Sequence, residues 1–108
     1  MIDEKEVLET VVGVRRDTLR LWVERGWVAA EEVGDSYRFR DIDVARIELI
    51  SEFRSTFALS ENALDVVLPL LDQVHGLRHQ VRRMAEAIND QPEDVRQRIA
   101  DRLADRTD

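Results

Sequence analysis

The strongest constraint lies in the second half of the chain. Ala63, Val67, Leu70, Val74, Leu77, Val81, Met84 and Ile88 recur at alternating steps of four and three residues. That is a heptad seam, the pattern of a helix that lays one apolar stripe against another helix. It commits the second half to helix. Four glycines and two prolines are also too few for the many turns of an all-β fold. The fold class expected is mainly α. The seam of Val67, Leu70, Val74, Leu77, Val81, Met84 and Ile88 is long for a chain of 108 residues to cover by itself. It is expected either to pack intramolecularly or to join two copies as a homodimer, and the dimer is favoured.

Two residues interrupt this segment. Pro69 lacks an N–H and is expected to kink the helix or restart it. Gly76 weakens a helix interior by about 1 kcal/mol relative to Ala. The expectation is a short helix from 61 to about 67 and a longer one from about 68 to 89. Ser60 suits its N-cap. Asn89-Asp90 ends it, and Pro92, at a first-turn position, opens a polar helix over about 92–105.

The first half is more varied. Val7, Leu8, Val11 and Val12 stand at helical spacing within residues 3–12, and Gly13 permits a left-handed turn. A second helix is expected from about Arg15 to Arg25, with Leu19, Trp22 and Val23 inward and Gly26 as its C-terminal stop. Gly34-Asp35 marks a turn, and Tyr37 and Phe39 alternate with Arg38 and Arg40. That pattern predicts a small two-stranded hairpin with both aromatics toward the core. Asp41 is expected to cap a third helix, about 42–54, with Val44, Ile47, Ile50 and Phe53 inward. The organisation expected is a head over 1–58, a helical, coiled-coil-like segment over 59–90, and a polar helix or mobile tail over 91–108.

Composition closes several function classes. The chain carries a net charge of −7, with the acidic excess spread over both halves. No basic arm exists to draw in nucleic acid. Cysteine is absent, so no disulfide, thiolate metal site or Cys nucleophile is expected. His75 and His79 stand four apart, but no third ligand is near, so they are read as seam-flanking residues and no metal or cofactor is expected. There is no Gly-rich phosphate loop and no nucleophile–base–acid set, so no enzyme is expected. The acidic start MIDEKEVLE does not resemble a secretory signal, and no apolar run approaches the roughly 20 residues of a membrane span. A cytoplasmic protein with no membrane partner is the expectation.

The stretches "GVRRDTLRLWVERGWV" and "SYRFRDIDVARI" together resemble the turn, recognition helix, wing strand and following helix of a MerR-type winged helix-turn-helix, over about residues 5–58. "FALSENALDVVLPLLDQVHGLRHQVRRM" continues the likeness toward the chaperone modulators of the CbpM type, to about residue 85. The resemblance implies a MerR-like head with a small two-stranded wing and a C-terminal coiled-coil-like helix. It also implies an adaptor that binds the J-domain of a DnaJ-like, curved-DNA-binding co-chaperone and inhibits it. MerR proteins pair their coiled-coil helices antiparallel, and the resemblance carries that arrangement with it.

The same residues admit two uses. As a DNA binder, the head would use Arg15, Arg16 and Arg20 on the helix and Arg38 and Arg40 on the wing, neutralising phosphates. Where a MerR wing usually supplies a Pro and a basic residue, this chain reads Val28-Ala29-Ala30-Glu31-Glu32. Carboxylates near a phosphate path repel it by on the order of 1 kcal/mol each, so DNA is disfavoured. As an adaptor, it would offer Glu31, Glu32 and Asp35 to a basic helix of the J-domain, by attraction and steering.

Overall fold

A computed structural model of the chain describes residues 1–105. Among the described residues the order is β1 (Ile2–Asp3), α1 (Glu4–Thr10), α2 (Arg16–Glu24), β2 (Glu31–Val33), β3 (Ser36–Phe39), α3 (Asp41–Ser55), α4 (Glu61–Asn89) and α5 (Glu93–Ala104). The fold is mainly helical, with a small antiparallel sheet ordered β1-β3-β2. The chain divides into two compact units, Met1–Leu68 and Pro69–Asp108. The last three residues of the expected 91–108 tail lie outside the described residues.

The first unit holds the core. Val7 of α1, Leu19 and Trp22 of α2, Phe39 of β3, and Ile47 and Ile50 of α3 are buried together with Trp27, Val28 and, from the start of α4, Leu64 and Leu68. α2 forms where the sequence spaces Leu19, Trp22 and Val23 along one face. It stops at Gly26, whose φ of 75° is the left-handed conformation a helix terminus uses. Its neighbour Trp27 donates its backbone N–H to the Trp22 carbonyl at 3.0 Å. Gly34, at φ 61°, opens the two-residue turn between Val33 and its partner Ser36.

Several expectations are corrected. The wing is not two-stranded alone: Ile2 pairs with Phe39 and Asp3 with Arg38, so β3 becomes the central strand. This draws Asp3 out of the first helix expected within residues 3–12, which begins at Glu4 with Asp3 as N-cap. The Asp3 carboxylate accepts the Glu6 N–H at 2.8 Å. Val12 lies outside that helix and is 90% exposed, not core. Tyr37 is half-buried while Phe39 is fully buried.

Asp41 does not cap α3 but is its first residue. The cap position falls on Arg40, because β3 runs through Phe39 and only Arg40 remains extended between strand and helix. Asp43, three residues on, accepts the Arg40 N–H at 3.1 Å. Pro69 does not break α4, which runs unbroken from Glu61 to Asn89. Only the one bond to the Asp65 carbonyl is forfeited at Pro69, which is exposed, while Leu64 and Leu68 already hold the preceding turns on the head. Ser60 is the N-cap expected: its hydroxyl accepts the Ala63 N–H at 3.1 Å. Pro92 sits at the N-cap of α5, one place before the first turn.

The second unit is built differently. No residue from Pro69 to Asp105 is buried. Ile88, Val95 and Ile99 are half-buried, and Ile88, Arg96, Ile99 and Leu103 line an open groove where α5 meets the end of α4.

Candidate functional site

Two of the arginines singled out in the sequence, Arg16 and Arg20, meet at one buried carboxylate that was not among the residues singled out. Glu4, the first residue of α1, is 2% exposed. Arg20, from the middle of α2, grips it through two bonds, Nε to Oε1 at 2.8 Å and Nη2 to Oε2 at 3.1 Å. Arg16, one turn earlier, lies 3.8 Å from Oε1. The Ser36 hydroxyl donates to Oε2 at 3.2 Å. Arg20 also donates to the Asp35 carbonyl at 3.0 Å and lies over the Tyr37 ring at 5.8 Å. One carboxylate and one guanidinium thus tie α1, α2 and the tip of the hairpin together.

The charge state of Glu4 follows from these partners. The Arg20 hydrogen bonds hold its carboxyl below the ordinary value of 4.5, against the opposing effect of burial. Arg20 is correspondingly raised, first by its bonds to Glu4. An arginine held in this way keeps its charge but has several of its donors committed inside the protein.

Arg40 is similarly engaged. Its Nε and Nη2 reach the two oxygens of Asp43 at 2.9 and 3.1 Å. Asp43 is 6% exposed, and these bonds hold its carboxyl below its usual range despite burial. Arg38 faces Glu31 on one side and Asp3 on the other across the sheet. Of the five arginines proposed to meet phosphate, Arg15 and Arg16 stand together at the start of α2 with side chains 86% and 60% exposed, Arg15 at 4.0 Å from Asp17 and Arg16 at 3.8 Å from Glu4; Arg40 is 63% exposed but bonded to Asp43.

The acidic wing residues are all exposed: Glu31, Glu32 and Asp35. β2 is an edge strand, so its outer backbone groups are unpaired within the sheet. Strand alternation sends Glu31 and Glu32 to opposite faces of the ribbon. Glu32 shares a face with Tyr37, while Glu31 shares one with Arg38 and Val33. The three carboxylates therefore edge the ribbon rather than form one patch. Asp35 stands in the turn whose carbonyl Arg20 holds.

The seam is placed as exposed surface. Leu70, Val74, Leu77, Val81 and Met84 are 42 to 65% exposed, and Val67 and Ile88 are half-buried. A neighbouring stripe, Leu64, Leu68 and Leu71, has the same four-and-three spacing, and its first two members are buried on the head. Periodicity marks both stripes, and only packing separates them. Two further residues fasten the start of α4. The Trp27 indole N–H donates to Asp65 Oδ1 at 3.0 Å, and Arg25 pairs with Glu61 at 3.0 Å. Arg46 donates to the Trp27 carbonyl. Isolated acids such as Asp65, Glu61 and Glu4 carry no sequence signal for these roles, because their arginine and tryptophan partners are brought to them only by folding.

Among the described residues no group of three or more His, Cys, Asp or Glu is arranged to hold a metal. No described helix is long and apolar enough to cross a membrane.

A family model for MerR HTH family regulatory proteins matches residues 4–86. The chain belongs to the MerR HTH family. The match spans the helix-turn-helix, strands β2 and β3 and most of α4, so α2 and the hairpin described above are those of a MerR-type head. Comparison with curated proteins and with solved structures returned no match.

Proposed function

We propose that this MerR-family chain is a non-catalytic adaptor of the chaperone-modulator type, which binds the J-domain of a DnaJ-like co-chaperone through its acidic wing and restrains it. The observation that carries this reading is the division of charge in the head. Arg20 and Arg40 are engaged by Glu4 and Asp43, while Glu31, Glu32 and Asp35 stand exposed along a sheet edge. A basic helix approaching that edge meets carboxylates fixed by the hairpin, and the net charge of −7 steers it there. Two copies joined through the α4 seam would present two such edges.

Titration calorimetry of the full chain against the J-domain protein of the same genome tests the reading. A complex weakened by added salt is expected. No heat of binding at low salt overturns it.

A second reading, a DNA-binding regulator, is favoured by Arg15 and Arg16, exposed together at the start of the recognition helix. It requires duplex binding that falls with salt by several phosphates' worth. In a gel shift with genomic fragments, Arg15→Ala with Arg16→Ala should abolish the shift. Binding that survives both changes rules out this helix as the reader.

A further inference from the structure

The stretch from Gln73 to Ala85 carries three arginines and two histidines and no acid, in a chain whose net charge is −7. It lies wholly within α4. His75, Arg78, His79, Arg82 and Arg83 are linked by spacings of three and four residues. Residues so spaced are neighbours on a helix surface. The five form one stripe, about 12 Å long at ~1.5 Å per residue. All five are exposed.

The stripe differs from most other arginines of the chain. In the head, Arg20, Arg25 and Arg40 pair with Glu4, Glu61 and Asp43, and in α5 Arg98 reaches Asp94. Among the described residues, no side chain of the stripe has an ion pair, a hydrogen bond or a ring contact. Arg78 and Arg82, one turn apart, repel each other, so the stripe opposes the helix that carries it. We propose that this stripe docks an acidic segment of a partner protein, about two helical turns long. Arg78, Arg82 and Arg83 supply the charge, and His75 and His79 add ring nitrogens that can donate. The site is separate from the acidic wing, so it stands whether or not the wing binds a J-domain. It is also distinct from the apolar seam: His75, His79, Arg82 and Arg83 lie about a third of a turn or more from the seam's centre line.

The ends of the stripe choose the occupant. Asp72 precedes it, and Glu86 and Asp90 follow it, all on the same side of the helix. A uniform polyanion, such as duplex nucleic acid or an anionic lipid surface, would run past the stripe onto these carboxylates. The net charge of −7 also repels it at longer range. A short acidic segment ends where those carboxylates begin, and basic residues at its two ends would meet them.

Fluorescence anisotropy of the full chain with a labelled synthetic helix tests the site. The probe is alanine-based, with glutamates along one face over two turns and a lysine at each end. Binding that falls with added salt is expected. Arg78→Gln with Arg82→Gln is expected to weaken it about tenfold. Arg96→Gln with Arg102→Gln, the same change of charge on α5, is expected to leave it nearly unchanged. Equal losses from the two pairs would mean attraction by overall charge alone and overturn the site, as would no binding at low salt. Tighter binding of a DNA duplex, or of phosphatidylserine vesicles, than of the peptide overturns the choice of occupant. Thermal unfolding followed by circular dichroism is expected to show α4 no less stable in Arg78→Gln with Arg82→Gln, since the change relieves repulsion. A loss of helix there would mean that the two arginines support α4, and it overturns the proposal.

Discussion

The head and the second unit use the same helical periodicity to opposite ends. In the head, Leu64 and Leu68 complete a core that Phe39, Trp22 and Ile47 begin, and all are buried. Past Pro69 the same spacing continues through Leu70, Val74 and Leu77, and none is buried. An apolar stripe thus tells that a helix will have a packed face, without telling whether that face is covered within the chain. The difference comes from the number of surrounding elements. Three helices and a sheet enclose the head, whereas α4 and α5 alone cannot enclose anything.

The sharpest way to break this comparison is one truncation on each side of Pro69. Leu64→Ala is expected to destabilise the head by roughly 3 kcal/mol, from lost burial and the cavity left behind. Leu77→Ala is expected to leave the head's unfolding within about 0.5 kcal/mol of the unaltered chain and to weaken self-association instead. Chemical denaturation followed by tryptophan fluorescence reads the head selectively, because both tryptophans, Trp22 and Trp27, lie in it. Equal losses from the two variants would show that the units are not energetically separate.

Next in size is the Glu4 clamp. Glu4→Gln is expected to cost about 2 kcal/mol, the worth of charge-assisted bonds to a buried carboxylate. Its pH dependence has a defined sign. The folded pKa of Glu4 lies below 4.5 and that of Asp43 below 3.8. Their stabilisation is therefore fully present above the unfolded values and is lost as pH falls through the folded ones. Denaturation between pH 6 and 3 should show the unaltered head losing more stability than Glu4→Gln. Parallel pH profiles would mean that the Glu4 carboxylate does not contribute.

Charge reversal on the wing tests function without touching the core. Glu32→Lys with Asp35→Lys is expected to weaken J-domain binding at least tenfold, about 1.4 kcal/mol, with the head's stability nearly unchanged. Calorimetry and denaturation on the same sample separate the two effects.

The smallest effects come from a pair of glycines. Gly26→Ala forces an alanine to φ 75° and is expected to destabilise the head by about 1 kcal/mol. Gly76→Ala is expected to strengthen α4 by about 1 kcal/mol, since its position is an ordinary helical one with open space around the added methyl. Thermal unfolding by circular dichroism should show opposite signs for the same chemical change.

Much of the helical framework was legible from local pattern. The inner face of α2, its stop at Gly26, the Ser60 cap and the turn at Gly34-Asp35 follow from side-chain spacing and backbone freedom over a few residues, and the structure carries them all. The strand at Ile2–Asp3 was not legible, because two residues hold no periodicity and gain their conformation from Phe39 and Arg38 across the sheet. The continuity of α4 through Pro69 was missed for a related reason: a local rule predicts a break, and burial of Leu64 and Leu68 outweighs it.

The candidate site divides in the same way. Sequence alone determined which residues carry charge: five arginines on helix and wing, three carboxylates on the wing, and an apolar seam behind. Tertiary structure decided what those charges face. Glu4 and Asp43 occupy Arg20 and Arg40, and strand alternation turns Glu31 and Glu32 to opposite sides. A charge's availability depends on its nearest partner in space, and folding brings residues 4 and 20 into one hydrogen-bonded pair that spacing along the chain does not reveal.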